Sequence, residues 1–392
     1  MGAYRYLIVG GGMTADAAAH GIRELDADGS IGLIGAEPDP PYNRPPLTKG
    51  LWKGDPLDGI WRKTGDAAVD LMLGRRATTL DLPARTVVDD RGDRHTFEKL
   101  LLATGAVPRR LPFGGNDVIY YRGIGDYRRT RQVADAGGAV VVIGGGFIGS
   151  EIAAGLAMNG CKVSMLFPED GIGARIFPAD LASHLVGYYR DKNVSVNPGQ
   201  EVADIASSNG SFLVTTKSGL KLKAAGVIAG VGVVPETSLA KAAGIAIEDG
   251  IIVDEHLRTS VPGVFAAGDV ARFMSPALGH RMRVEHEDNA LTMGRAAGRA
   301  MAGDTTAYAH LPFFYSDLFD LGYEAVGETD PRLKTVADWS TPFRQGVVYY
   351  MVDGRVRGVL LWGIFGKVDE ARALIASGDV VDDASLAGRI RP

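Results

Sequence analysis

Apolar positions along the chain fall into two patterns, short runs of β-branched and aliphatic residues and longer alanine-rich stretches. The first run, YRYLIV at 4–9, ends at a glycine cluster; an alanine-rich stretch follows at 13–25, and SIGLIG forms another apolar run at 30–35. Short apolar runs bounded by turn residues are typical of buried strands, and a longer alanine-rich stretch is typical of a helix. The pattern predicts strand, glycine turn, helix and strand, which is a βαβ unit.

The same order of patterns recurs in the middle of the chain. AVVVI at 139–143 predicts a strand, the stretch 147–159 a helix, and KVSMLF at 162–167 a second strand. Two further apolar runs, KLLLATG at 99–105 and VPGVFAAGDV at 261–270, predict strands that end in Ala-Thr-Gly and in Gly-Asp. Taken alone, each of these two runs is more often a plain strand end than a ligand site.

The last part of the chain, 312–392, has a different character. VVYYMVDGRVRGVLLW at 347–362 contains two strand-like runs around Asp353-Gly354, a strong hairpin signal, and KVDEARALIASG at 367–378 predicts a short helix that stops at Gly378. This region has no βαβ pattern of its own. We therefore predict an α/β protein with two Rossmann-like dinucleotide-binding domains and a small α+β C-terminal domain.

The first glycine cluster fits the pattern G-x-G-x-x-[GA] through Gly10, Gly12 and Ala15. The first glycine permits the tight turn, the second lets the backbone approach a pyrophosphate, and the small third residue lets the helix lie close to the sheet. The helix N-terminus supplies N–H donors to the phosphates, and Glu37, after the second strand, can accept hydrogen bonds from a ribose. The first βαβ unit therefore predicts a dinucleotide site.

The second glycine cluster carries the three glycines Gly144, Gly146 and Gly149. Its acid is late, because Phe167 and Pro168 occupy the usual place and Glu169 follows them. No arginine comes directly after the strand, where a 2′-phosphate would need one, so the sequence favours NAD over NADP. Arg175 is near enough along the chain to keep NADP open.

Composition narrows the class of protein. The net charge is −5, which argues against a nucleic-acid binder, and the apolar stretch 140–158 is interrupted by Glu151, which makes it a poor membrane span. The single cysteine, Cys161, excludes a disulfide framework and a cysteine-rich metal site. No secretory leader precedes the first strand, and we expect a cytoplasmic protein.

Several longer motifs resemble one family in order along the chain. Two glycine fingerprints with an ATG between them and a GD after them are the layout of the FAD-dependent pyridine-nucleotide oxidoreductases. RPPLTK at 44–49 and VEHEDNA at 284–290 are similar to the ferredoxin-reductase and apoptosis-inducing-factor group. The segments most similar to the apoptosis-inducing-factor branch are IGDYR at 124–128, LFPEDG at 166–171, FFYSDLFDLGYEAVG at 313–327 and VLLWGIFGKVDEAR at 359–372.

This resemblance implies a glutathione-reductase-like arrangement of layers and two cofactors, FAD in the first βαβ unit and NAD(H) in the second, with NADP(H) less favoured. The implied domains are a discontinuous FAD-binding domain (1–113 and 238–311), an inserted NAD(H)-binding domain (114–237) and a C-terminal α+β domain (312–392). In the family the C-terminal domain often forms a dimer or partner interface, so a homodimer is one expectation.

The resemblance also implies site residues. On the FAD side they are Gly10, Gly12, Ala15, Glu37, Arg44, Lys49, Thr104, Gly105, Gly268, Asp269, Glu285, His286, Glu287 and Tyr315. On the NAD side they are Gly144, Gly146, Phe147, Ile148, Gly149, Glu151, Glu169 and Gly232. Lys49 and Glu151 are the implied catalytic pair, which would meet beside the flavin; the alternative is that Glu151 is a solvated acid that stabilises its own helix dipole.

Other implied roles have plainer alternatives. Arg44 would bind a phosphate of FAD or be a surface charge, and Asp269 would bind the ribityl chain. The helix that begins at 285–287 would point its positive end at the flavin. His286 is a candidate acid or base, but a positioned ring fits hydride transfer equally well. Phe147 and Tyr315 would contact the nicotinamide site or belong to the core.

Two positions depart from the family pattern. Glu287 stands where ferredoxin and rubredoxin reductases of this group usually carry Trp, and Tyr315 stands where the apoptosis-inducing-factor pattern has Trp. Glu287 makes electron transfer to an iron–sulfur protein a weaker inference. The lone Cys161 excludes the disulfide-reductase activities of the wider family, which need two cysteines beside the flavin, and we expect it to be a buried hydrophobic residue.

Three functions remain open on the sequence. The first is an NADH-dependent flavoprotein reductase that passes electrons to a ferredoxin-like protein. The second is an NADH-dependent reductase of quinones, dyes or oxygen, and the third is an interaction module that responds to NADH. A basic cluster of Arg122, Arg128, Arg129 and Arg131 would steer an acidic ferredoxin, although an ordinary solvated helix face is the better-supported alternative.

Overall fold

The computed structural model describes residues 2–391 and divides them into two units. The first unit comprises the residues up to Asn43, Asp58–Val107 and Val234–Pro312. The second comprises Arg44–Leu57, Pro108–Val233 and the residues from Phe313 onward.

The strands are short and lie throughout the chain. In order they are β1 (Gly2–Val9), β2 (Ile31–Gly35), β3 (Val69–Leu73), β4 (Ala77–Asp81), β5 (Thr86–Asp89), β6 (Arg94–Leu102), β7 (Ala106–Pro108), β8 (Ile119–Tyr120), β9 (Ala139–Ile143), β10 (Lys162–Leu166), β11 (Ser195–Asn197), β12 (Val202–Ser208), β13 (Ser211–Thr216), β14 (Lys221–Ala224), β15 (Gly226–Ala229), β16 (Val233–Pro235), β17 (Ile247–Glu248), β18 (Gly250–Ile252), β19 (Val264–Ala266), β20 (Ala271–Ser275), β21 (His280–Met282), β22 (Phe313–Leu318), β23 (Leu321–Gly327), β24 (Lys334–Thr341), β25 (Gln345–Val352) and β26 (Arg355–Trp362).

The helices are α1 (Met13–Arg23), α2 (Ile124–Asp135), α3 (Phe147–Met158), α4 (Ala179–Asp191), α5 (Ser238–Ala242), α6 (Glu287–Met301) and α7 (Val368–Ser377). Single 3₁₀ turns occur at Pro45–Leu47, Gly50–Trp52, Leu57–Ile60, Thr64–Ala67, Gly268–Val270 and Asp383–Leu386. Within residues 2–391, no helix has the length and the apolar character needed to cross a membrane.

The first unit is built on a sheet in the order β3-β2-β1-β6-β5-β4, with β19 also paired to β6. β1, β2, β3, β6 and β19 run parallel, so their carboxyl ends lie at one edge, where nucleotides bind in such sheets. A smaller four-stranded sheet, β17-β18-β20-β21, belongs to the same unit.

Helices α1 and α6 pack against each other so closely that glycine is required between them. A Cβ on Gly298 would overlap the carbonyl oxygen of Ala18, and a Cβ on Gly21 would overlap that of Arg295. Alanines of both helices, among them Ala15 and Ala297, are fully buried in the core of this unit. The small residues of the predicted alanine-rich helix therefore serve close helix packing as well as helix propensity.

The second unit contains a parallel sheet in the order β11-β10-β9-β15-β8 and a three-stranded antiparallel sheet, β12-β13-β14. The loop Arg44–Leu57 packs onto this unit through Trp52. Its indole N–H donates to the carbonyl oxygen of Leu47 at 2.8 Å, and its own carbonyl accepts from the Asn159 amide at 2.9 Å. The ring meets Tyr127 edge to face, with 5.7 Å between the centroids.

The C-terminal part of the second unit is an antiparallel sheet in the order β22-β23-β26-β25-β24, with α7 packed on β23 and β26. Trp362 is fully buried and stacks on Tyr323 with 5.5 Å between the ring centroids. The β25–β26 turn has positive φ at Asp353 and Gly354, as two-residue hairpins require. Gly378 ends α7 in the left-handed conformation, at the predicted position.

The predicted α/β fold with two Rossmann-like units and a C-terminal α+β region is confirmed. The predicted strand at 139–143 agrees with β9, whereas the helix predicted to reach residue 25 ends at Arg23, because the Asp26 carboxylate accepts the Gly29 N–H and turns the chain. The run at 261–270 is a strand only at β19 and then becomes a 3₁₀ turn. The domain limits near 113, 237 and 311 stay a prediction.

Candidate functional site

The first glycine turn lies at the carboxyl end of β1, and its first and third glycines differ in what surrounds them. Gly10 has φ +133°, and a Cβ there would overlap the carbonyl oxygen of Ala103. Gly12 has no protein atom within 4 Å of its Cβ position, and it is the residue before α1, without a side-chain cap. Gly10 is therefore required by the fold, whereas Gly12 leaves open space beside the N–H groups of a helix N-terminus.

The acid after β2 is held in place by the rest of the first unit. The Tyr42 hydroxyl donates to Oε2 of Glu37 at 2.6 Å, and Tyr42 itself is buried and packs edge to face on Trp61. This fixes the Glu37 carboxylate at the edge where the parallel strands end, the place for an acid that accepts ribose hydroxyls.

The ATG and GD segments also lie in the first unit. The Thr104 hydroxyl donates to the carbonyl oxygen of Glu236 at 2.6 Å, and the Glu236 N–H donates back to Gly105 at 2.9 Å. Gly268 has φ +77°, and a Cβ there would overlap the Thr14 hydroxyl of α1. The backbone of both segments is thus fixed at short range, with Asp269 in the 3₁₀ turn that follows β19.

Arg283, shortly before α6, links the turn after β19 to the residues that lead into α6. Its guanidinium donates to the carbonyl oxygen of Asp269 at 3.2 Å and to the Glu285 carboxylate at 2.6 Å. His286 is the residue before α6, and burial lowers the pKa of its imidazole to about 4. A neutral imidazole at pH 7 fits a positioned ring better than a proton carrier. Glu287 begins α6 at its positive end.

The second glycine turn repeats the first in the other unit. Gly144 has φ +117°, and a Cβ there would overlap the carbonyl oxygen of Gly230, while a Cβ on Gly149 would overlap that of Gly144. Gly146, before α3, has no protein atom within 4 Å of its Cβ position. In both units, therefore, the first glycine is required by the fold and the third leaves open space beside a helix N-terminus.

The late acid of the second unit has a packing cause. A Cβ on Gly145 would lie 2.9 Å from the Phe167 ring, which is fully buried directly after β10. This ring fills the space below the turn, and the first acid after β10 is Glu169, whose side chain is partly buried. The Glu169 carboxylate accepts from Arg175 at 2.6 and 2.8 Å, and the Arg175 side chain is 82% exposed.

Four more predicted residues lie in the second unit. Phe147 is partly exposed at the start of α3 and meets Phe314 edge to face, with 5.1 Å between the ring centroids. The neighbouring Ile148 is half-buried. Gly232 has φ +93° and accepts the Arg109 N–H at 2.9 Å. Arg44 donates from Nη1 to the carbonyl oxygen of Arg122 at 2.9 Å, so its guanidinium contacts backbone rather than bulk solvent alone.

Lys49 and Glu151 form an ion pair within the second unit. The ammonium of Lys49 lies 2.7 Å from Oε1 of Glu151, and the two side chains are only 13% and 4% exposed. Glu151 also accepts from the Thr48 hydroxyl at 2.5 Å and from the Ser316 hydroxyl at 2.5 Å. The alternative of a solvated first-turn acid is therefore wrong. The Lys49 ammonium also lies 5.2 Å from the centroid of the Tyr315 ring.

Two buried tyrosines lie close to Glu151 of this ion pair. Burial, and after it the charge of Glu151, raises the pKa of the Tyr189 and Tyr323 hydroxyls well above the ordinary value. Tyr323 has a hydrogen bond with Ser316 that acts in the opposite direction. Each hydroxyl therefore stays protonated beside the ion pair.

Comparisons with known proteins agree with this geometry. Residues 4–294 match the family described as pyridine nucleotide-disulphide oxidoreductase. The chain belongs to this family. Residues 297–342 and 338–377 match the C-terminal region described as "Apoptosis-inducing factor, mitochondrion-associated, C-term".

Individual relatives of this oxidoreductase span nearly the whole chain. Apoptosis-inducing factor 1, mitochondrial, from Dictyostelium discoideum is 34% identical over 97% of this chain and 80% of its own. The anthranilate 1,2-dioxygenase system ferredoxin–NAD(+) reductase component of Burkholderia cepacia is 33% identical over 99% of this chain and 98% of its own. A covalent putidaredoxin reductase–putidaredoxin complex contains a chain with a TM-score of 0.92 and 27% identity, covering 98% of this chain and 95% of that one.

The oxidoreductase is FAD-dependent and uses NAD(P)H, and both glycine turns fit such ligands. In each unit one glycine next to a helix N-terminus has open space at its Cβ position. The first glycine of the same turn, Gly10 or Gly144, has no room for a side chain. The open positions, Gly12 and Gly146, would hold the pyrophosphates, FAD in the first unit and the nicotinamide nucleotide in the second. The roles of the individual site residues stay a prediction.

Some residues of the site have no signal in the sequence pattern. Asp16, in the first turn of α1, is buried and accepts from the Arg62 guanidinium and, at 2.6 Å, from the Thr64 hydroxyl. A bare carboxylate there would repel a phosphate, and Arg62 neutralises it. Thr48 and Ser316 were likewise missed as partners of Glu151. Thr48 stands directly before the predicted Lys49, and Ser316 directly after the predicted Tyr315. The sequence alone does not show that either hydroxyl donates to a functional residue.

Proposed function

We propose that this oxidoreductase takes hydride from NADH into FAD and passes the electrons on to a ferredoxin-like protein. One observation carries the proposal: the chain holds the two nucleotide turns of its family but a single cysteine, Cys161, which is buried. Because no pair of thiols exists to take the electrons, they must go to an external acceptor. The Burkholderia cepacia relative is a ferredoxin–NAD(+) reductase component, and the solved relative is in complex with putidaredoxin, which supports a small redox protein as that acceptor.

The chain's own residues would orient the reactants and set the local charge. FAD, when bound, supplies the conversion between a two-electron donor and one-electron acceptors. Glu151 holds the Lys49 ammonium in a fixed direction at the start of α3, on the helix that carries Gly146 at its N-terminus. By the family resemblance this ammonium faces the flavin, where a fixed positive charge favours the electron-rich form.

Ferredoxin dependence is the test of this proposal. The measurement is NADH-dependent cytochrome c reduction with and without an added ferredoxin of the two-iron class, in a background free of other reductases. We expect a rate that rises with ferredoxin concentration and saturates. A panel of ferredoxins that leaves the rate at its ferredoxin-free level contradicts the proposal.

The basic cluster of Arg122, Arg128, Arg129 and Arg131 gives little support to the docking of an acidic ferredoxin on this helix. The Arg131 guanidinium lies over the Trp52 ring, 5.3 Å from its centroid, pairs with Asp135 at 3.0 Å and donates to Asn159. Arg129 donates to backbone carbonyl oxygens of Asn116 and Asp117. These contacts favour the alternative, an ordinary helix face, over a free cationic docking patch.

A reductase of quinones, dyes or oxygen is the second candidate. The match of residues 297–377 to the apoptosis-inducing-factor C-terminal region favours it, as does the Dictyostelium discoideum relative. A quinone-dependent NADH oxidation that exceeds every ferredoxin-dependent rate would select this function. A cytoplasmic location and a homodimer stay predictions for either function, the first supported by the single free cysteine.

We expect NADH to be preferred over NADPH, because Glu169 is the acid beyond β10 and its Arg175 partner is already neutralised. In the variant Glu169→Gln the carboxylate no longer repels a 2′-phosphate and Arg175 is released. The ratio of kcat/KM for NADH to that for NADPH is expected to fall about tenfold, or about 1.4 kcal/mol. Glu201→Gln, at an exposed acid of the same unit, is the control. An unchanged ratio in Glu169→Gln would show that this acid does not discriminate between NADH and NADPH.

A further inference from the structure

Glu151 receives its hydrogen bonds from two different parts of the second unit. Thr48 and Lys49 are neighbours in the loop Arg44–Leu57, and they contact Oε2 and Oε1. Ser316 comes from β22 in the C-terminal sheet and donates to Oε1 at 2.5 Å. Ser316 is therefore the one of the three donors that does not depend on the loop that carries Lys49.

A buried carboxylate with several acceptor sites is stable only when donors fill them. Glu151 is 4% exposed, so water is not available to replace a lost donor. With Ser316 present, Oε1 of Glu151 accepts from both the Ser316 hydroxyl and the Lys49 ammonium, while Oε2 accepts from Thr48. Donors on both oxygens fix the plane of the carboxylate. Without Ser316, only loop residues hold Glu151, and the carboxylate and the Lys49 ammonium can turn together.

We infer that Ser316 is a positioning residue, which acts through Glu151 to hold the Lys49 ammonium in one direction. β22 contacts both members of the ion pair, since the Lys49 ammonium also lies 5.2 Å from the centroid of the neighbouring Tyr315 ring. Ser316 is itself 1% exposed and lies beside the buried Tyr323, so its hydroxyl has no solvent alternative. The C-terminal sheet thereby takes part in the charge arrangement of the nucleotide site. This inference rests on the proposed function, in which Lys49 faces the flavin.

The test is the FAD midpoint potential of the purified holoprotein, measured without any acceptor protein. Ser316→Ala removes the hydroxyl and is expected to weaken the stabilisation of reduced FAD about tenfold, which is a shift of about 30 mV to more negative potential. We expect kcat for NADH-dependent dye reduction to fall and the KM for NADH to stay unchanged. Ser316→Thr, which restores a hydroxyl, is expected to bring the potential back. Ser340→Ala, at an exposed serine of β24 in the same sheet, is the control for a general effect of the sheet.

A double-mutant cycle separates positioning from a merely structural role. In a Glu151→Gln background the carboxylate is gone, so adding Ser316→Ala is expected to leave the potential where Glu151→Gln has put it. Equal shifts in both backgrounds would overturn the inference.

If Ser316→Ala does not fold, Thr48→Val provides the same cycle, because Thr48 donates to the other carboxylate oxygen. If Glu151→Gln itself leaves the potential unchanged, the flavin-facing ion pair of the proposed function is wrong; if only Glu151→Gln shifts it, the ion pair stands and the role of Ser316 is refuted.

Discussion

Glu151→Gln is expected to lower the free energy of unfolding by about 3 kcal/mol, at the lower end of the loss known for broken buried ion pairs. The Lys49 ammonium would remain in a site where it is only 13% exposed, without a counter-ion. The new amide also brings two N–H donors to a position that already receives donors from Thr48, Lys49 and Ser316. Because the proposed function needs the fixed ammonium, NADH-dependent dye reduction is expected to fall about 10²-fold.

The same substitution on a pair whose basic partner is exposed is the matched control. In Glu169→Gln the broken partner is Arg175, which is 82% exposed, so we expect a loss between about 0 and 1 kcal/mol. Chemical denaturation of both variants under one set of conditions measures the contrast. Lys49→Met combined with Glu151→Gln is expected to unfold less easily than Glu151→Gln alone, since no unpaired charge remains. Equal stabilities for Glu151→Gln and Glu169→Gln would show that the buried pair contributes no more than a surface pair.

The elements that position the site could be predicted because local sequence determines them. β9, α3, the hairpin at Asp353-Gly354 and the end of α7 at Gly378 all follow from apolar runs and from residues that adopt positive φ. The two glycine turns belong to the same class, since Gly10 and Gly144 are needed wherever the backbone must pass close to a neighbouring strand end. Short-range geometry of this kind leaves a signal within a few residues.

The partners within the site could not be predicted because they come from distant parts of the chain. From the sequence, Arg131 would be a solvated charge on its helix. In the structure its guanidinium lies over the ring of Trp52, which is distant along the chain. Phe167 reads as an ordinary strand residue, and only its contact with Gly145 explains why the acid is late. Ser316 follows three aromatic residues in β22, and its hydrogen bond to Glu151 depends on how β22 packs against α3. Packing of this kind carries no periodicity that a single sequence displays.

Gly10 and Gly12 of the first turn are expected to have different effects when each becomes alanine. Gly10→Ala combines φ +133° with an overlap on the Ala103 carbonyl, which costs about 1–3 kcal/mol for the backbone and a similar amount for overpacking.

Gly12→Ala meets no protein atom within 4 Å, so the apoprotein is expected to unfold at the wild-type denaturant concentration. Its methyl group would stand where the pyrophosphate approaches, and we expect the FAD dissociation constant to rise about 100-fold, or about 2.7 kcal/mol. Denaturation of the apoproteins and fluorescence titration with FAD measure the two effects separately. Gly146→Ala, the equivalent position of the second unit, is the control: it is expected to raise the dissociation constant for NADH and leave FAD retention intact. If Gly12→Ala keeps FAD as tightly as the wild type, the first glycine turn is not the pyrophosphate site, whatever its resemblance to the family.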